Sequence, residues 1–298
     1  MTTSAHHQHL FDRRALLVGG AGLLLAACGT SGTTKTGSTS PTTAGAAGPV
    51  LPASSYQLVQ FFKAGSVPAG IAHRLAFGLG DTNGVLQAGG PNTLDVTILD
   101  ADGKEIVAEA PSTRHANQLQ RPYWPVTVNL PAGTYQAKFT MGGDVIGSPA
   151  FFAVTADSSL PKTGDKLRVV ATPTPANIQG VTPICTRTPA CPLHDTSLDT
   201  VLGRKPVALL IGTPAYCQTA ICGPTLDVLV NNRREGITYI HAEVWKDNTF
   251  AEAAPLLTAL DIDFEPILLT IRADGTIAER LDDIFDADDI SAALAKIV

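Results

Sequence analysis

Through the first half of the chain, apolar and polar residues alternate at a period of two. Val126-Thr127-Val128-Asn129-Leu130 and Tyr135-Gln136-Ala137-Lys138-Phe139 do so cleanly, as strands with one buried face must. Segments 56–62, 74–77, 94–99, 105–108 and 150–154 read as further strands. Asp102-Gly103, Pro131-Ala132-Gly133 and Met141-Gly142-Gly143 supply the turns between them. Short strands at this spacing, without a helical period, predict an antiparallel β-sandwich over residues 49–156. The pair Tyr123-Trp124 falls inside it and is expected to fill its core, the common fate of large aromatics.

The period changes in the second half. Val207-Ala208-Leu209-Leu210-Ile211 is a continuous apolar run, the mark of a strand covered on both faces. A helix is expected from about 222 to 234, a strand over 237–244, and a second helix over 248–260 capped by Asn248 or Thr249. Segments 266–271 and 276–280 read as a hairpin across Asp274-Gly275, and Asp286 as the cap of a last helix reaching Ile297. The order β-α-β-α-β-β-α over 196–298 predicts an α/β layer whose first two strands run parallel. Between the halves, residues 157–195 hold six prolines and read as a linker.

The start of the chain bears on location. Arg13-Arg14 precede an apolar run from 15 to 27, too short to span a bilayer but suited to an export signal. Leu25-Ala26-Ala27-Cys28 resembles a bacterial lipobox, which implies removal of residues 1–27 and a lipid on Cys28. Residues 28–48 are mostly Gly, Ser, Thr and Ala and read as a flexible tether. The expected location is extracytoplasmic, on the outer face of the cell membrane. His6, His7 and His9 lie in the discarded segment. A net charge of −6 without a basic stretch argues against a nucleic-acid partner.

Of five cysteines, the lipobox takes Cys28 and four remain. They allow three pairings, of which the local one, Cys185–Cys191 with Cys217–Cys222, is expected. The first pair brackets a proline-flanked loop and reads as a structural disulfide, with no metal expected. His194 and His241 are the histidines that a copper site on Cys217 and Cys222 would need; ligation is not the expected role of either, and His241 reads equally as a strand residue held by a hydrogen bond. The second pair follows a strand and opens a helix, whose N-terminus favours a thiolate.

Residues 130–135, Leu-Pro-Ala-Gly-Thr-Tyr, give the first half a resemblance to immunoglobulin-like modules. The second half resembles the thioredoxin superfamily, nearest its secreted TlpA-type thiol-disulfide oxidoreductases, on three features. These are Tyr216-Cys217 after the first strand, Glu265-Pro266 at the start of the third, and the Asp274-Gly275 hairpin with its following helix. That resemblance implies a thioredoxin-like α/β domain over 196–298. It further implies Cys217 as nucleophile, Cys222 as resolving cysteine, and Tyr216, Glu265 and Pro266 around a substrate groove. The implied partners are exported protein thiols or disulfides and a separate redox partner, with no cofactor. The spacing departs from the family, being Cys-x-x-x-x-Cys rather than Cys-x-x-Cys, and an apolar residue near Ile211 replaces the family's buried acid. Those departures favour a second expectation, a non-catalytic binding or scaffold lipoprotein with Cys217–Cys222 as a staple.

Overall fold

A computed structural model of the chain describes residues 49–217 and 220–298. The export segment, Cys28 and the tether lie outside the described residues, which belong to one compact unit.

The first half forms nine strands: β1 (Gln57–Gln60), β2 (Val67–Pro68), β3 (His73–Gly80), β4 (Thr93–Asp100), β5 (Glu105–Thr113), β6 (Trp124–Val128), β7 (Gly133–Met141), β8 (Asp144–Val145) and β9 (Ala150–Thr155). One sheet runs β1-β3-β6 and the other β2-β9-β7-β4-β5, with β8 on β7. All pairs are antiparallel except β2 with β9. The alternation does what it predicts. Leu94, Val96 and Ile98 of β4 and Tyr135, Ala137 and Phe139 of β7 point inward, onto Leu75, Phe77 and Leu79 of β3. Phe77 meets Phe62 edge-on at 5.3 Å and Phe139 at 4.8 Å. Trp124 and Tyr123 are wholly buried.

Gly90 leaves room for that tryptophan. Its φ is +148°, and a Cβ there would meet Trp124 Cη2 at 2.5 Å. Gly90→Ala is therefore expected to cost about 1–3 kcal/mol through strain and overpacking, read as a lower urea midpoint at unchanged m-value.

The second half contains α1 (Leu198–Val201), β10 (Val207–Ile211), α2 (Cys222–Asn231), β11 (Thr238–Ala242), α3 (Pro255–Leu260), β12 (Ile267–Ile271), β13 (Ile277–Asp282) and α4 (Ala287–Leu294). Its sheet order is β11-β10-β12-β13, with β10 parallel to β11 and the other neighbours antiparallel. Leu209, Ile211 and Leu269 face α3 through Leu257 and Leu260. Leu210 and Leu268 face α2 and α4 through Leu226, Leu229, Ile290 and Leu294. Both faces of β10 are thus covered, which is why it reads as an unbroken apolar run.

The expected fold class is corrected here. Among the described residues strand exceeds helix by 34% to 12%, and the helices against this sheet are ten, six and eight residues long. The protein is predominantly β, with a mixed four-stranded sheet in place of the expected thioredoxin-like α/β domain. Local chemistry shortens the helices. The segment expected to be helical from 248 begins only at Pro255, a residue suited to a first helical turn. Before it, Asp247 accepts from the Thr249 N–H and hydroxyl, Phe250 has φ +58°, and Trp245 bridges to Ala253. Those bonds offer the backbone an alternative to the helix. Asp261, at φ +55°, then stops α3. Asp286 does cap α4, accepting from the Asp288 and Asp289 N–H groups.

β3 is buried on its other side too. Arg74 donates to the Ile284 carbonyl at 2.7 Å and pairs with Asp289 at 2.6 Å, while the Tyr123 hydroxyl donates to Asp289. Arg280 donates to the carbonyls of Ser66 and Pro161. A buried, charge-paired seam therefore joins the sandwich to the second sheet.

Candidate functional site

β10 ends at Ile211 and delivers the chain to a tight corner. Gly212 sits in close quarters: a Cβ there would lie 3.2 Å from that of Pro266 and 3.7 Å from that of Cys222. Thr213 then fixes the turn. Its N–H donates to Glu265, its hydroxyl accepts from the Val244 N–H at 3.0 Å, and its carbonyl accepts from the Cys217 N–H at 3.1 Å. Cys217 and Cys222 are bonded to each other, with Cα atoms 5.9 Å apart. Cys222 opens α2 and is fully buried, whereas Cys217 is half-buried.

Glu265 and Glu243 lie behind this corner. One Glu265 oxygen is 3.5 Å from Cys222 Sγ. Burial, reinforced by the charge of Glu243, outweighs the Thr213 hydrogen bonds and pushes the Glu265 carboxyl up to about 7. Burial likewise raises Glu243, which accepts from the Thr186 N–H at 2.6 Å and from its hydroxyl at 3.0 Å.

Beside the disulfide lies a groove of about 440 Å³. Tyr216, Cys217, Trp245, Leu257, Phe264 and Glu265 line it. Phe250 extends its rim, packing edge-on against Tyr216 at 4.9 Å and Trp245 at 6.0 Å. Tyr216 and Phe250 are each 42% exposed. Of the residues expected around a substrate groove, Tyr216 and Glu265 line this cavity. Pro266, joined to Glu265 by a cis bond, is buried against Gly212 instead. Trp245, Phe250 and Phe264 also line or rim the groove and are not among the residues expected from sequence, because Phe250 falls within the segment expected to be helical.

The other cysteine pair differs from expectation. Cys185 and Cys191 are free and buried, not bridged. They meet His194 and His241, and the four side chains could hold a metal ion. His115, Asp286 and Asp289 also converge. Those acids are already engaged by Arg74, Tyr123, Asn117 and the α4 backbone, so that group is a structural network.

No protein family and no curated protein matches the chain. Two solved structures are similar over part of it. The Lin-41 filamin domain shares 16% identity, covers 36% of this chain and 97% of its own length, and has a TM-score of 0.25. The PKD domain of the human VPS10 domain-containing receptor SorCS2 shares 13%, covers 44% and 98%, and has a TM-score of 0.21. The expected place in the thioredoxin superfamily does not stand, because strand dominates the described residues and helix is sparse. At these scores neither neighbour lends this chain a function. Among the described residues, no helix is long and apolar enough to cross a membrane.

Proposed function

We propose that this is a non-catalytic binding protein whose contact surface is the aromatic groove beside Tyr216, with Cys217–Cys222 as the staple that holds the groove's wall. The observation that carries the reading is the burial of Cys222 under Gly212 and Pro266 while Tyr216 and Phe250 stay exposed. The bridge fixes a loop; the aromatics beside it face outward. A segment with apolar or aromatic side chains suits the groove, since such surface gains about 25 cal/mol per Å² on burial. We further propose that the chain is exported and tethered through Cys28, with residues 28–48 as the tether, the sandwich occupying 49–156 and exported proteins as the partners. Replacing Cys28 with Ala is expected to move the protein from the membrane fraction to the soluble one.

Trp245 reports on the groove directly, because the other tryptophan, Trp124, is sealed in the sandwich. Apolar peptides are expected to shift Trp245 emission saturably, and Tyr216→Ala to weaken that binding. No saturable shift with any apolar peptide would defeat the reading. Replacing both Cys217 and Cys222 with Ser is expected to cost about 2 kcal/mol, the loop-entropy value for so short a ring, and to leave the fold intact by circular dichroism.

A second reading, thiol-disulfide exchange, is favoured by one observation. The Glu265 carboxyl lies 3.5 Å from Cys222 Sγ and is pushed up to about 7, suited to exchanging a proton with a thiol at neutral pH. Cys217, the more exposed sulfur, would then be the nucleophile. Dithiothreitol separates the two readings. A staple resists millimolar reagent in the native state, whereas an exchanging pair is reduced within minutes and then labels rapidly at Cys217 with iodoacetamide.

A further inference from the structure

We infer that Cys185, Cys191, His194 and His241 form a closed, four-ligand zinc site, separate from the Cys217–Cys222 bridge. Cys191 Sγ lies 3.2 Å from His194 Nε2 and 3.4 Å from His241 Nδ1. The two ring nitrogens are 3.2 Å apart, and Cys185 Sγ is 4.0 Å from His241 Nδ1. A tetrahedral Zn²⁺, with Zn–N of about 2.0–2.1 Å and Zn–S of about 2.3 Å, sets ligand edges of about 3.3 Å for N–N and about 3.6 Å for S–N. The observed edges scatter about those values. Two sulfurs and two imidazole nitrogens are also the donor set that zinc takes in structural sites.

The surroundings fix His241 in the form a metal needs. His241 Nε2 is 2.8 Å from the Gly212 carbonyl, which can only accept, so Nε2 carries the proton and Nδ1 turns its lone pair into the cluster. His194 Nδ1 is buried without a partner, leaving Nε2, the atom aimed at the other ligands, to make that ring's polar contacts. None of the four residues is more than 9% exposed. The cluster is held from outside by backbone: the His241 N–H donates to the Leu193 carbonyl at 2.9 Å, and Thr186 is bound to Glu243. Without an ion, two imidazoles and two thiols face one another with no solvent to satisfy them, an expensive arrangement. With one, the site clamps the proline-rich segment to the edge strand β11.

The full chain, purified without chelator or added metal, is expected to carry close to one zinc. Cys185 and Cys191 are expected to react with a thiol reagent only after a strong chelator has removed it. Cys191→Ser and His241→Asn are each expected to lower zinc affinity at least about 100-fold. Where a variant does not fold, Co²⁺ titration of the metal-free wild-type chain reads the site directly, through thiolate-to-cobalt charge transfer and tetrahedral d–d absorption. Four results overturn the site as assigned: no metal and no charge-transfer band in the reduced wild-type chain; a native Cys185–Cys191 disulfide in peptide mass spectra; binding of copper(I) with no zinc; or unchanged zinc affinity in folded His241→Asn. Each is independent of whether the groove binds a partner.

Discussion

Asp282→Asn is expected to lower the stability of the folded chain by about 3–5 kcal/mol. Asp282 is 1% exposed, and its two oxygens accept from Arg280 Nε at 2.8 Å and Nη2 at 2.7 Å. His73 Nε2 lies 3.2 Å from the same carboxylate. Burial alone would push this acid up; the charge and hydrogen bonds of Arg280, with those of His73, outweigh it and hold Asp282 well below the ordinary carboxylate range. The amide removes the charge and leaves a guanidinium that is itself only 2% exposed without its counter-ion. The effect also reaches across the molecule, since Arg280 donates to Ser66 in the sandwich half. Urea unfolding measures it, and a loss under 1 kcal/mol would show that the seam is already solvated. Arg280→Met with Asp282→Leu is expected to cost less than the single change, because it leaves no buried charge.

The second large effect is on pH dependence. Stability is expected to fall by on the order of 6 kcal/mol between pH 5 and pH 8. Burial pushes Glu265 up to about 7, and burial with the charge of Asp282 pushes Asp283 up to about 8. Unfolded, both titrate near 4, so between those limits the folded state binds more protons and loses stability as pH rises. His115 acts in the same direction. Burial opposes its charge, but the hydrogen bond and charge of Asp286, with the charge of Asp289, raise it above its ordinary value. Its contribution is complete below about 6.5 and is lost as pH passes the raised value. Asp282 and Asp286 are depressed and act oppositely, losing their contribution as pH drops below about 4. The maximum should therefore lie near pH 5. Glu265→Gln is expected to flatten the fall above pH 6. Urea midpoints at pH 5, 6.5 and 8 test this; a midpoint that rises with pH contradicts the assignment.

The departures from expectation share a cause. Cys185 and Cys191 are six apart and look like a local disulfide, because spacing is all that a sequence displays. What sets their chemistry is His241, a β11 residue 50 positions from Cys191, held alongside by its backbone N–H bond to the Leu193 carbonyl. Glu265 comes to Cys222 across 43 positions, through the antiparallel pairing of β10 and β12 that places Ile211 opposite Ile267. No periodicity encodes such meetings.

By itself, the sequence determined what depends on neighbours along the chain. Alternation placed the inward faces of β4 and β7, Asp274-Gly275 placed the β12–β13 turn, and Asp286 placed the start of α4. Each rests on backbone geometry or side-chain direction within a few residues. Tertiary structure alone decided that β3 is covered on both faces and that two cysteines gather with two histidines instead of bridging. Those outcomes are set by which sheets pack together. Packing brings together groups too far apart in sequence for any local preference to specify.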